Sequence, residues 1–248
     1  SYSVTGVQTC ALPISPLDEA SLLTEFEKRH IPAHYREYYL AKRNNLFATI
    51  VGYPQIWKTY TALDSIWERG IHDLNVPTRL NELLPLLLYL AAHAKVRTSI
   101  ELALTACLGE ARSILRDAIE YTAHAHRMRV SPELQAVWTS KEDNEKAFSS
   151  AFEKNKKGNL FQGLEELHQA WGTLSEIGAH ATPASLSAQT IFTTRADGGY
   201  DAILNYSGSE PKTLIPAIFS MLLTCSTIEN TFYGDFRERL SLRSEEHT

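Results

Sequence analysis

No Gly-rich phosphate loop, GxSxG elbow, HExxH pair or CxxC spacing occurs in the chain. The sequence therefore offers no basis for P-loop hydrolysis, α/β-hydrolase chemistry, zincin proteolysis or a zinc ribbon. Cysteine is scarce. The three residues, Cys10, Cys107 and Cys225, have no spacing that suits a disulfide framework, so a reducing cytoplasm is the expected compartment. Neither charge dominates: 24 Lys and Arg against 29 Asp and Glu leave a net charge of −5. That balance argues against a dedicated binder of nucleic acid or anionic membrane. Long apolar runs are also few. Leu83 to Ala94 is too short to cross a bilayer, and Thr213 to Ile228 is interrupted by Pro216 and by several Ser and Thr. No membrane partner is expected.

What is present begins with two unusual ends. Val4 to Ile14 reads VTGVQTCALPI and Arg243 to Thr248 reads RSEEHT. Both resemble translations of one short-read sequencing adapter, in opposite orientations. Residues 1–15 and 243–248 are accordingly expected to be adapter-derived, with Pro16 to Leu242 forming a single helical domain. With 44% hydrophobic residues, about 227 residues can bury a sizeable core.

Helical periodicity dominates that interval. Helices are predicted over Leu17–His30, His34–Val51 after Pro32, and Gln55–Arg69 with Gly70 as a stop. Leu83–Ala94 reads as a buried helix, followed by a long one from Thr98 to about Met128. Ser131-Pro132 opens a short helix to Trp138. Lys141–Lys157 and Leu160–Ile177 read as two further helices. The pattern then changes to a β-hairpin over about 190–206, turning at Asp197-Gly198-Gly199. A last helix, Lys212 to about Leu240, carries Leu214, Ile215, Ile218, Leu222, Cys225, Ile228 and Phe232 on one side. The expected fold is mainly α, a helical bundle with one β-hairpin near the C-terminal end.

The chemistry-bearing pattern lies on the Thr98–Met128 helix. Leu104, Cys107, Leu108, Ala111, Ile114, Leu115 and Ala118 share one side, and Arg112, Arg116, Glu120 and His124 follow one another at i,i+4 on the opposite side. A row of cation, carboxylate and imidazole can hold an anionic group and move a proton. The plainer reading is a solvated face whose ion pairs are worth about 0.3–0.5 kcal/mol each. Ser175 and His180 stand at the end of the Leu160–Ile177 helix and in the turn after it. A histidine there can meet a ligand or simply cap free carbonyls.

Two ExxH pairs, Glu27–His30 and Glu165–His168, have the spacing found in dinuclear iron bundles. Chance alone supplies roughly one such pair in a chain of this composition. His124 and His126, two apart on a helix, suit chelation poorly. No metal and no cofactor is expected. The basic-aromatic patch Lys28, Arg29, Tyr35, Arg36, Tyr38, Tyr39, Lys42 and Arg43 reads as the outer face of a helix.

Arg29 to His34 literally matches the Arg, polar residue and His spacing of the higher-eukaryote and prokaryote nucleotide-binding (HEPN) helical domains, many of them RNases. Pro32 breaks the helix that this motif occupies. Arg116 to His124 has the better helical setting and a longer spacing. The chain also resembles a group of uncharacterised bacterial helical proteins. Their pattern is an Arg-x3-Glu pair in a long central helix and a later Leu-Ser…His before a turn, here Arg116, Glu120, Ser175 and His180. The resemblance implies a helical fold and a choice of residues, and it does not anticipate the hairpin.

The expected function is thus a cytoplasmic helical binding or regulatory module, its polar pocket built from Arg112, Arg116, Glu120, Ser175 and His180. The alternative is a metal-independent RNase or phosphodiesterase of HEPN-like type, with His180 or His124 as base and Arg116 binding phosphate. Another protein, RNA or a second copy of the chain are the partners this reading admits.

Overall fold

The computed structural model describes residues 30–74, 79–179, 190–195, 197–204 and 211–240. The predicted Leu17–His30 helix, apart from His30 itself, the junction near Pro77 and His180 lie outside the described residues. Among these residues are eight α-helices and one two-stranded antiparallel sheet, a mainly α fold with a single hairpin as the periodicity predicts.

Helix α1, Ala33–Gly52, starts immediately after Pro32, whose fixed φ suits a helix entry. Tyr53 separates it from α2, Pro54–His72, which has Pro54 at its first position. Gly70 does not stop α2. It lies inside the helix, where a Cβ would sit 2.3 Å from the Tyr233 hydroxyl. The missing side chain lets Tyr233 reach across and donate to the Ile66 carbonyl at 2.7 Å.

The long helix predicted from Thr98 to Met128 is two helices. Helix α3 runs Leu80–Leu104 and α4 runs Leu108–Val130, with no break near Ala94. Between them Ala106 takes a left-handed φ of 62°. The Cys107 amide donates to the Leu102 carbonyl and the Ala106 amide to that of Ala103, a Schellman closure. The chain reverses there and α4 packs back along α3. Ser99 Oγ donates to the Ala111 carbonyl at 2.7 Å across this hairpin of helices.

Beyond α4 come a short α5, Leu134–Thr139, and a single turn α6, Glu145–Phe148, capped by the Asn144 side chain. The helix expected over Lys141–Lys157 is therefore shorter, confined to the stretch from Glu145 to Glu153. A π-helical turn, Ser149–Glu153, follows α6, and Lys154 leaves in an extended conformation. Helix α7 covers only Glu165–Leu174 and continues as a π-helical turn through Ser175–Ala179. Gly163, with a φ of 80°, sits just ahead of α7. Leu160, Phe161 and Leu164 are buried from an irregular segment, so their apolar spacing imitates a helix that starts later.

Strands β1, Thr190–Thr194, and β2, Tyr200–Leu204, pair with Thr194 opposite Tyr200. Gly198 supplies the positive φ of their turn, and Asp197 Oδ1 accepts from the Gly199 amide. Helix α8, Pro211–Phe236, closes the bundle and ends in a 3₁₀ turn at Arg237–Arg239. Among the described residues this is the one helix long and apolar enough to cross a membrane by length and composition. Its inward face joins the core.

That core is centred on α4. Ala111, Leu115, Ala118, Ile119, Ala123 and Met128 are fully buried, and α8 lays Leu214, Ile218, Leu222, Cys225, Ile228 and Phe232 against them and their neighbours. Each large apolar side chain removed from water contributes about 1.5–3 kcal/mol. Cys107 and Cys225 are buried free thiols.

Candidate functional site

The polar row on α4 meets α7 and the π-helical turn that continues it. Arg116 Nε donates to Ser175 Oγ at 3.0 Å, and Ser175 Oγ donates to the Trp171 carbonyl one turn earlier at 2.7 Å. Arg116 Nη2 donates to Glu120 Oε1 at 3.1 Å, the i,i+4 pair that the spacing allows. The same oxygen accepts from Trp171 Nε1 at 2.9 Å and Lys156 Nζ at 3.2 Å. Three donors thus converge on one carboxylate oxygen. Both cations also stand over the Trp171 ring, Lys156 at 4.6 Å and Arg116 at 5.3 Å from its centroid. Asp117 adds a weaker contact to Arg116 at 3.4 Å.

This arrangement follows from two antiparallel elements. Glu120 faces Trp171 and Arg116 faces Ser175, so one further turn of α4 carries Arg112 toward the end of the Ser175–Ala179 turn. Arg112 is half-buried, yet it has no hydrogen bond or ion pair with any described residue. Burial alone acts on it, pulling its pKa below the usual arginine value.

His124, the last member of the row, lies apart from these bonds. Its ring packs on Phe152 and Phe148 at 5.0 and 6.0 Å, and its Nδ1 is buried without a partner. Burial pushes its pKa down to about 4, so the imidazole is neutral near pH 7. His180 lies outside the described residues, as do Glu27 and Arg29 of the ExxH and HEPN-like patterns. His34 falls on α1 and is exposed. Glu165 and His168 share α7, and the His168 ring stacks on Trp171. Among the described residues no group of three His, Cys, Asp or Glu side chains is placed to hold a metal ion.

Trp171 and Lys156 are the members that spacing did not single out. Trp171 lies four residues before Ser175, on the same helical face, and that offset is a usable signal. Lys156 comes from an irregular segment, where no periodicity places it. Replacing Trp171 by Phe keeps a ring under both cations and removes only the indole N–H. It is expected to cost about 1.5–3 kcal/mol, the worth of a hydrogen bond to a charged group, read as a lower urea midpoint with an unchanged slope.

Two other polar clusters escaped the sequence reading. Between α2 and α3, His93 Nε2 lies 3.0 Å from Asp64 Oδ1, while Arg97 grips both Asp64 oxygens at 2.7 and 2.8 Å and also bonds Glu68. The Arg97 fork holds the Asp64 carboxyl below its usual range, and burial lowers the pKa of His93. Deeper, Asp235 of α8 accepts from Tyr89 Oη of α3 at 2.6 Å and meets His126 Nδ1 of α4 at 2.9 and 3.1 Å.

These features define a helical protein with a cation-rich polar clasp on its central helix. No family model matches the chain, and neither a curated protein nor a solved structure matches it.

Proposed function

We propose that this protein is a helical binding or regulatory module whose ligand presents an anionic group, phosphate or carboxylate, to Arg112 and Arg116. The observation that carries the reading is Arg112, a half-buried guanidinium with no partner among the described residues. An arginine so placed keeps its charge and presents five donors, so an entering anion gains charge-assisted bonds. Arg116, one turn along, is already aligned by Ser175 and Glu120. The resemblance noted for Arg116, Glu120 and Ser175 rests on the same stretch. The buried free cysteines agree with a reducing compartment such as the cytoplasm.

Inorganic phosphate serves as the probe, titrated calorimetrically into the intact chain. A dissociation constant on the order of 1 mM is expected, weakening about tenfold in Arg112→Gln, which corresponds to roughly 1.4 kcal/mol. Equal affinity in the two proteins would remove Arg112 from the site and sink the reading. Cleavage of RNA by the parent chain and not by His180→Ala would replace the binding module with the RNase alternative. Cleavage by both would clear His180 of any part in it.

A further inference from the structure

A cleft of about 550 Å³ lies between the C-terminal ends of α2 and α8. Sites for small molecules run from roughly 300 to 1,000 Å³, so a ligand of several carbons fits it. Its apolar surface comes from Ile66, Tyr233 and Leu240. Two glycines shape the hollow. A Cβ on Gly70 would strike the Tyr233 hydroxyl, so only glycine lets that ring settle against α2 and donate to the Ile66 carbonyl. A Cβ on Gly234 would meet nothing within 4 Å, because that position opens onto the cleft. A backbone bridge between Leu74 and Leu240 joins the two walls at this end of the bundle.

The charge on these walls is cationic in excess. Arg69 and Arg237 stand against one carboxylate, Asp73, which already meets His72 Nδ1 at 3.0 Å. Arg237 is exposed and has no hydrogen bond or ion pair with any described residue. Arg69 uses only Nε, on the Ser65 carbonyl at 3.3 Å, which leaves both of its Nη nitrogens open to a ligand. Its charge and that of Asp73 both act on the Tyr233 hydroxyl, which places them beside that ring.

This balance selects an anion, and a guanidinium fork suits a carboxylate or a phosphate. The helix ends separate the two. Helices α2 and α8 both finish at this cleft, where their unpaired carbonyls carry negative partial charge. One negative charge therefore suits the site better than the nearly two of a phosphate monoester. We infer that this cleft is a site for a small monocarboxylate with an apolar tail, its carboxylate on Arg237 and its tail over Ile66, Tyr233 and Leu240. Neither Arg112 nor Arg116 lines it, so the inference stands apart from the anion site proposed on α4.

Octanoate is the probe, and the backbone amide resonances of Gly234 and Leu240 are the readout. Both should move saturably, with a dissociation constant on the order of 1 mM. Octylammonium, equal in tail and opposite in charge, should bind at least about tenfold more weakly. Arg237→Gln should weaken octanoate about tenfold. Gly234→Leu, read on Leu240, should weaken it at least about tenfold, because the new side chain grows into the cleft. Leucine is the better helix former, so that variant keeps its fold. Arg112→Gln should leave both resonances responding as in the parent, which keeps a failure of the α4 site distinct from a failure here. No saturable shift, an equal response to octylammonium, or full binding by Gly234→Leu would each overturn the assignment. A response lost in Arg112→Gln would place octanoate on α4 and overturn it too. So would an Arg237→Gln protein that loses stability yet binds octanoate as before, since that arginine would then serve only as countercharge to a helix end.

Discussion

Asp235→Ala is expected to lower stability by about 3–5 kcal/mol, the usual result of removing one partner from a buried charged network. The Asp235 side chain is 9% exposed and holds together three helices distant in sequence. Tyr89 of α3, fully buried, donates its hydroxyl to it, and His126 of α4 meets both carboxylate oxygens. A carboxylate only accepts, so the histidine proton sits on Nδ1. Burial and the adjacent carboxylate raise the Tyr89 pKa well above its ordinary value, so the phenol remains a donor. Alanine would orphan the hydroxyl and the imidazole N–H together, each in a place that water reaches poorly. Graded substitutions separate this from simple loss of packing. Tyr89→Phe removes the donor and leaves the His126 bond, and should cost only about 1 kcal/mol. Asp235→Asn keeps one acceptor and should fall between the two. At roughly 2–4 °C per kcal/mol, the alanine variant should melt about 10 °C below the parent. A loss under about 1 kcal/mol for Asp235→Ala would show that the network contributes nothing beyond its shape.

How much of this was legible in advance depends on the range of the interaction. The inward face of α8 was readable because Leu214, Ile218, Leu222, Cys225, Ile228 and Phe232 repeat at helical spacing. The hairpin was readable because Asp197-Gly198-Gly199 provides a residue that tolerates positive φ. The break between α3 and α4 was not, since the left-handed position is filled by Ala106 and neither Gly nor Pro marks it. Gly70 misled in the opposite sense. Its glycine serves the approach of Tyr233, a contact 167 residues from Ile66 along the chain. The candidate sites divide in the same way. Arg116 and Glu120 share a helix face, and their pairing is a matter of spacing. Asp64 with His93, and Tyr89 with Asp235, come together only through helix packing, and no local pattern announces them.

Glu229→Gln is expected to raise stability at about pH 8 by about 2 kcal/mol, and the gain should vanish on acidification. The carboxyl goes from its usual 4.5 to about 7 on folding, so its ionisation is penalised in the native state. Such a group stabilises below pH 4.5, and that stability is lost as pH rises through about 7. The whole penalty is at most about 3 kcal/mol, and glutamine, which still needs partners, recovers part of it. His124 acts in the other direction. Its pKa falls from 6.5 to about 4 on folding, so the neutral imidazole contributes stability above 6.5 that is lost as pH falls through about 4. The two slopes nearly cancel between pH 4 and 7 in the parent. Each single variant should therefore uncover the other's slope. Glu229→Gln should lose stability steadily on acidification below about 6.5, whereas His124→Phe, which suits the Phe148 and Phe152 bed, should lose it as pH rises toward about 7. The double variant should be both flatter and more stable at either end. Urea midpoints measured across this range decide the matter. A Glu229→Gln profile parallel to that of the parent would mean that Glu229 titrates as an ordinary solvated carboxylate.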